Sequence, residues 1–165
     1  MKGLICMLKG VGRLFPEANE LVAVLKVLAG IYGVILGMTG VYFLAVSKSL
    51  IESNETYSNM TQLIPFEFYG VAFVVAAVVL LVSVASYPLT FFIINAVGAA
   101  IGSACFMVYS AASYQPEMLW YDQILAWRYG FVSLVLLIMA LVGVIAWING
   151  VWILCRKTKE DPETI

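Results

Sequence analysis

The sequence predicts an all-α integral membrane protein: a four-transmembrane-helix bundle with both termini cytosolic, preceded by an amphipathic interfacial helix. Three observations predict it: an apolar composition, four apolar stretches of spanning length, and an uneven placement of Lys and Arg. Of the 165 residues, 63% are hydrophobic and 12% are charged, and the mean hydropathy is +0.99. A soluble domain carries roughly 25% charged residues. Lipid is therefore the solvent that this surface suits.

Four apolar stretches are long enough to cross a bilayer, because about 20 helical residues span the hydrocarbon core. They occupy about residues 27–47, 66–86, 89–112 and 129–155, within a domain that covers 17–155. The connection between the second and third spans is little more than Tyr87 and Pro88. Since proline ends an incoming helix and fits the first turn of the next, these two spans are predicted to form an antiparallel hairpin.

The basic residues predict the orientation, since Lys and Arg concentrate on the cytosolic side. Seven of the nine precede the first span or follow the fourth, and only Lys48 and Arg128 fall elsewhere. The outer loops are then residues 48–65 and 113–128, which carry several acidic side chains. The expected location is the plasma membrane or a secretory-pathway membrane.

The segments at either end have separate predictions. Residues 1–16 place Lys2, Lys9 and Arg13 opposite an apolar side on a helical wheel, which is typical of a helix in the membrane interface. Pro16 is expected to end that helix. It would anchor the first span or sense lipid composition. Residues 156–165 form a charged cytosolic tail.

Two kinds of covalent modification are predicted. Asn54 and Asn59 begin N-glycosylation triplets in the first outer loop. Cys6 and Cys155 lie near basic residues at the membrane surface, as S-palmitoylated cysteines often do. The alternatives are a solvated polar loop and ordinary small apolar side chains.

Small residues predict which helix faces touch, because they allow close approach in lipid. The first span places four glycines on one face, and the third has a glycine pair four residues apart. These helix-contact residues are Gly30, Gly33, Gly37, Gly40, Gly98 and Gly102. Packing within the chain and contact with another chain both remain open.

Two pairs of polar residues complete the predicted sites. Asn95 and Asn149 lie within the third and fourth spans, where they could bond each other or the backbone, or line a polar path. Glu67 and Arg128 lie at the outer ends of the second and fourth spans and are expected to form an interface ion pair.

Little in the sequence suggests chemistry. Histidine is absent, the three cysteines form no CxxC pair, and no acidic residue lies centrally in a span. We therefore expect no enzyme activity, no cofactor, no metal and no nucleic-acid partner, and we identify no small-molecule substrate. The layout resembles tetraspan families of junctions and vesicles in topology alone. It lacks the Trp and Cys pair of claudin-type first loops and the Cys-Cys-Gly motif of tetraspanins.

The sequence thus favours a non-enzymatic tetraspan scaffold or accessory subunit. It would organise a membrane complex, a cell junction or a vesicle through lateral helix contacts and short extracellular loops. Its partners would be the lipid bilayer and either another membrane protein or further copies of itself. The alternative is a small homo-oligomeric channel or transporter with a pocket near Asn95 and Asn149.

Overall fold

A computed structural model describes residues 16–46, 57–58, 60–61, 65–114 and 124–160. Those residues form helices and contain no strand. The four long helices are α1 (Pro16–Ala45), α2 (Phe66–Ala85), α3 (Pro88–Ser113) and α4 (Ile124–Glu160). Each contains a segment long and apolar enough to cross a membrane: Val22–Ala45, Glu67–Ala85, Thr90–Ser113 and Ala126–Val151. The prediction of four membrane-spanning helices is therefore confirmed.

Both terminal helices are longer than predicted. Pro16, expected to end an N-terminal helix, is the first residue of α1, because proline lacks only an N–H that the first helical turn leaves unbonded. Residues 1–15, which carry the predicted interfacial helix, lie outside the described part. At the other end α4 continues through half of the predicted tail to Glu160. Between residue 151 and Pro162 the sequence contains no glycine or proline that would end the helix. The Lys and Arg residues near this end are positively charged, which is favourable beside the negative C-terminal end of the helix dipole.

The second and third helices form the predicted tight hairpin. Ser86 and Tyr87 are both extended, and Pro88 opens α3. The Ser86 N–H donates to the Ser83 carbonyl oxygen at 2.9 Å, which closes the end of α2. We call this side of the bundle the hairpin end. The opposite side, where α1 and α3 end and α2 and α4 begin, is the loop end.

The helices pack in chain order: α1 on α2, α2 on α3, and α3 on α4. Helix α1 touches α3 only lightly, and α1 and α4 do not form a comparable contact. The centre is filled by fully buried apolar side chains from every helix: Leu36, Phe73, Leu80, Phe91, Phe106 and Leu136. The bundle is therefore less closed on the side between α1 and α4.

Candidate functional site

The glycine face of α1 packs mainly against α2. A Cβ added to Gly40 would lie 2.7 Å from Val74 Cγ2 and 2.9 Å from the Gly70 carbonyl oxygen. One added to Gly33 would lie 3.0 Å from Leu81. These distances are shorter than van der Waals contact, so the absence of a side chain is what lets the two backbones approach.

The glycines of α3 also face neighbouring helices of the same chain. A Cβ on Gly98 would lie 3.0 Å from Leu80 Cγ of α2. At Gly102 the same atom would lie 3.0 Å from Leu36 of α1 and 3.3 Å from Leu136 of α4. Gly102 of α3 therefore lies where α1, α3 and α4 meet.

Gly30 differs from the other predicted contact glycines. No heavy atom lies within 4 Å of the position that its Cβ would occupy. Its neighbours Val27, Ile31 and Val34 are 62%, 52% and 53% exposed. Gly30 thus opens a shallow gap on a surface of α1 that no other described residue covers.

Two contacts between α3 and α4 were not predicted. A Cβ on Gly143 would lie 2.7 Å from the Phe92 carbonyl oxygen, so the backbones nearly touch there. Ser103 and Ser133 each donate a hydroxyl hydrogen bond to the other's carbonyl oxygen at 2.9 Å. Gly143 and Ser133 stand singly among large apolar residues of α4, so no repeated small-residue pattern marked them, whereas Ser103 follows Gly102 within the small-residue face predicted on α3.

The two asparagines do not bond each other. Asn149 is exposed on α4, whereas Asn95 of α3 is 0% exposed. Neither the amide nitrogen nor the amide oxygen of Asn95 has a hydrogen-bond partner in the described part. Asn149 is not on the face of α4 that packs against α3. Asn95 and Asn149 therefore do not form the hydrogen bond that their similar depth in the two spans suggested.

Glu67 and Arg128 likewise do not form the predicted ion pair. Both side chains are exposed at the loop end, on α2 and α4, two helices that do not pack closely. The cation with specific partners in the described helices is Lys26 of α1. Its Nζ donates to the Ser86 carbonyl oxygen at 3.0 Å and lies 5.6 Å from the centre of the Phe91 ring. It joins α1 to the hairpin end.

The predicted modification sites cannot be placed. Asn54, Asn59 and Cys6 lie outside the described residues, and for Cys155 only the helical backbone is described. Cys105 is a buried free thiol within α3. Among the described residues, no three His, Cys, Asp or Glu side chains are grouped as a metal site would require.

A cavity of about 370 Å³ lies near the loop end, and aromatic side chains line most of it. We call it the tyrosine cavity. It is lined by Met38, Thr39, Tyr42, Phe43, Tyr57, Tyr109 and Tyr129. These residues come from α1, from the loop after it, from α3 and from α4. Ligand pockets commonly occupy about 300–1,000 Å³, so the tyrosine cavity is large enough for a small chemical group.

Aromatic contacts hold the walls of the tyrosine cavity in place. The rings of Phe43 and Tyr109 meet edge to face at 5.6 Å, and those of Tyr109 and Tyr129 at 4.4 Å. Phe43 also stacks on the buried Phe73 ring at 5.5 Å. Such pairs add about 0.5–1.5 kcal/mol each beyond the area they bury. Rings from α1, α3 and α4 therefore support one another along one side of the cavity, and Phe73 of α2 packs against Phe43.

Tyr57, in the connection between α1 and α2, also lines the cavity. The residue is 8% exposed, and its hydroxyl lies 3.3 Å from the Tyr42 hydroxyl. Burial, together with the hydrogen bond to Tyr42, raises the pKa of Tyr57 to about 12. The Tyr57 phenol is therefore neutral at physiological pH and contributes no negative charge to the cavity.

A second, wider groove runs along the lipid-facing side of α4. It has a volume of about 560 Å³ and is lined by Ile124, Trp127, Arg128, Phe131 and Val132. Its side chains are apolar apart from Arg128, and Trp127 and Phe131 are each more than 60% exposed. An open apolar surface of this kind suits acyl chains.

Comparison with known protein families, with curated proteins and with solved structures finds no match for the chain. The fold alone therefore defines its class. Four helices of sufficient length and apolarity indicate a membrane protein with four spans.

Proposed function

We propose that the protein is a non-enzymatic membrane scaffold or accessory subunit. It would act in the plasma membrane or a secretory-pathway membrane, with both termini cytosolic, and would contact a partner helix through α1. The scaffold role follows from the lack of intramembrane groups for chemistry, together with the partner surface that α1 offers. The observation that carries it is the open gap at Gly30.

The glycines of α1 differ in whether packing within the chain explains them. Gly33 and Gly40 are explained by close packing against α2, because a side chain at either would collide with it. Gly30 has no such neighbour, although glycine in a helix costs about 1 kcal/mol relative to alanine. In lipid, a small residue beside empty space is where another helix can approach closely. We infer that a partner helix packs against this part of α1.

The test is to replace Gly30 by leucine and to measure what co-purifies from native membranes in mild detergent. We expect Gly30→Leu to fill the gap and to reduce the amount of partner at least about tenfold, which corresponds to roughly 1.4 kcal/mol. The chain itself should stay folded, because no atom of a facing helix lies within 4 Å of the new Cβ.

Two variants control for size and for folding. Ala104→Leu places the same side chain on an exposed position of α3 and should leave partner recovery unchanged. Gly33→Leu collides with Leu81 and should lower the stability of the chain itself. Full recovery of the partner with Gly30→Leu would remove the basis for the α1 contact surface.

The alternative is a small homo-oligomeric channel or transporter. What favours it is Asn95, a fully buried amide without a bonding partner in the described residues. A closed ring of identical chains in the same purification, with ion or solute flux that Asn95→Leu abolishes, would support that alternative over the accessory role.

A further inference from the structure

The chemistry that remains available in the tyrosine cavity is that of aromatic ring faces. The described residues that line it include no Asp, Glu, Lys or Arg. Three of its hydroxyls already have partners among the described residues: the Thr39 hydroxyl donates to the Ile35 carbonyl oxygen at 2.8 Å, and the hydroxyls of Tyr42 and Tyr57 are within hydrogen-bond distance of each other. A ligand that demands charge pairing or several hydrogen bonds would find few partners here.

Aromatic ring faces carry partial negative charge and attract cations. They repel anions, so a phosphate or carboxylate is a poor occupant. A primary ammonium has three N–H donors, each of which needs an acceptor. A quaternary ammonium has no donor and needs none. Aromatic enclosures are the established way in which proteins bind such groups.

We propose that the tyrosine cavity binds the trimethylammonium head group of a choline phospholipid. The four lining tyrosines supply aromatic rings, and Met38 supplies an apolar contact. The proposal does not depend on a partner helix at Gly30, which lies several turns away on α1.

The position and opening of the cavity point to a lipid rather than to a soluble cation. Tyr42 lies one turn before α1 ends at Ala45, and Tyr129 lies just inside the start of the fourth spanning segment. This is the depth at which tyrosines meet lipid head groups. Met38 and Tyr42 are 71% and 49% exposed, on the side where α1 and α4 do not pack. A head group can enter from the bilayer through that side.

The experiment compares lipids that share acyl chains and differ in head group. The purified protein is reconstituted with equal amounts of phosphatidylcholine and phosphatidylethanolamine, and the lipid retained after transfer to detergent is measured by native mass spectrometry. We expect phosphatidylcholine to be retained preferentially. Tetramethylammonium chloride should displace it, whereas sodium chloride at the same concentration should not.

Variants of Tyr42 test the ring face without disturbing the core. Tyr42→Leu should reduce the preference for phosphatidylcholine roughly fivefold, as expected for one cation–π contact. Tyr42→Phe keeps the ring and should retain most of the preference. Tyr114→Leu is the matched control, because Tyr114 is an exposed tyrosine at the same end of the bundle, outside the cavity lining.

Three outcomes would overturn the proposal. Equal retention of the two phospholipids would exclude head-group recognition. If tetramethylammonium stabilised the protein but phosphatidylcholine were not retained preferentially, the lipid would be excluded as the source of the cation. Retention of a sterol that depends on Tyr42 and ignores tetramethylammonium would assign the cavity to a different class of lipid.

Discussion

Buried polar side chains fall into two groups in this bundle. The hydroxyls of Ser83, Ser103 and Ser133 all donate to backbone carbonyl oxygens, the first within α2 and the other two between α3 and α4. Asn95 is equally buried, but its amide has no such partner in the described part. A serine can turn its hydroxyl toward the helix backbone, whereas a longer amide needs a partner on a facing helix.

Replacing Asn95 by leucine, which has the same branched skeleton of heavy atoms, should therefore stabilise the chain. An unbonded buried polar group costs about 1–3 kcal/mol, and leucine removes that cost without opening a cavity. The measurement is the thermal midpoint of the purified protein in detergent. Ser103→Ala removes satisfied hydrogen bonds and should lower the same midpoint. A lower midpoint for Asn95→Leu would show that the amide is bonded in the folded protein.

At the scale of the helix, the small-residue pattern predicted faces but not partners. The offsets of Gly33, Gly37 and Gly40 fix a common side of α1, and that side does make contact. Which helix it meets depends on long-range packing, and a single span carries no signal for that. Gly70 and Gly143 were not predicted as contact residues for the same reason. Each is a lone glycine, and only the position of the facing helix shows that a side chain there would collide with it.

Two successive glycines of the α1 series, Gly37 and Gly40, should respond differently to a single added methyl group. At Gly40 the added Cβ would meet the backbone of α2 at 2.8–2.9 Å, so Gly40→Ala should destabilise the bundle by about 1–3 kcal/mol. At Gly37 the nearest atom is Ala77 Cβ at 3.6 Å, an ordinary contact. Gly37→Ala should therefore be neutral or should stabilise, because alanine is the better helix former.

Denaturant-induced unfolding of both variants in the same detergent measures this difference. The backbone atoms opposite Gly40 cannot rotate away as a flexible side chain can, so little relief is available. Equal stabilities for the two alanine variants would mean that α1 and α2 lie farther apart than the structure places them.

At the scale of the whole molecule, composition and span length were enough to predict four helices, and Pro88 was enough to predict the hairpin. The order of packing was not predictable, because each span is apolar all round and no amphipathic face points to a core. The tyrosine cavity was missed for a related reason. Its tyrosines come from α1, the first outer loop, α3 and α4, and only the fold brings Tyr42, Tyr57, Tyr109 and Tyr129 together.

An even number of crossings places both termini on one side of the membrane, and the basic residues predict that this side is the cytosol. The chain's own cysteines can test it. A membrane-impermeant maleimide should leave intact cells unlabelled, because Cys6 and Cys155 then face the cytosol and Cys105 is buried. Permeabilisation, with hydroxylamine to remove any palmitate, should expose the terminal cysteines.

Thr61→Cys supplies the positive control, because Thr61 is exposed in the loop between α1 and α2. That variant should be labelled in intact cells, and the wild-type chain should not. The substitution removes the Asn59 glycosylation triplet but keeps the one at Asn54, so a glycosidase-sensitive shift in mass would report independently on the same loop. Labelling of the wild-type chain in intact cells, with Thr61→Cys adding none, would invert the topology and place the tyrosine cavity in the cytosolic half of the bilayer.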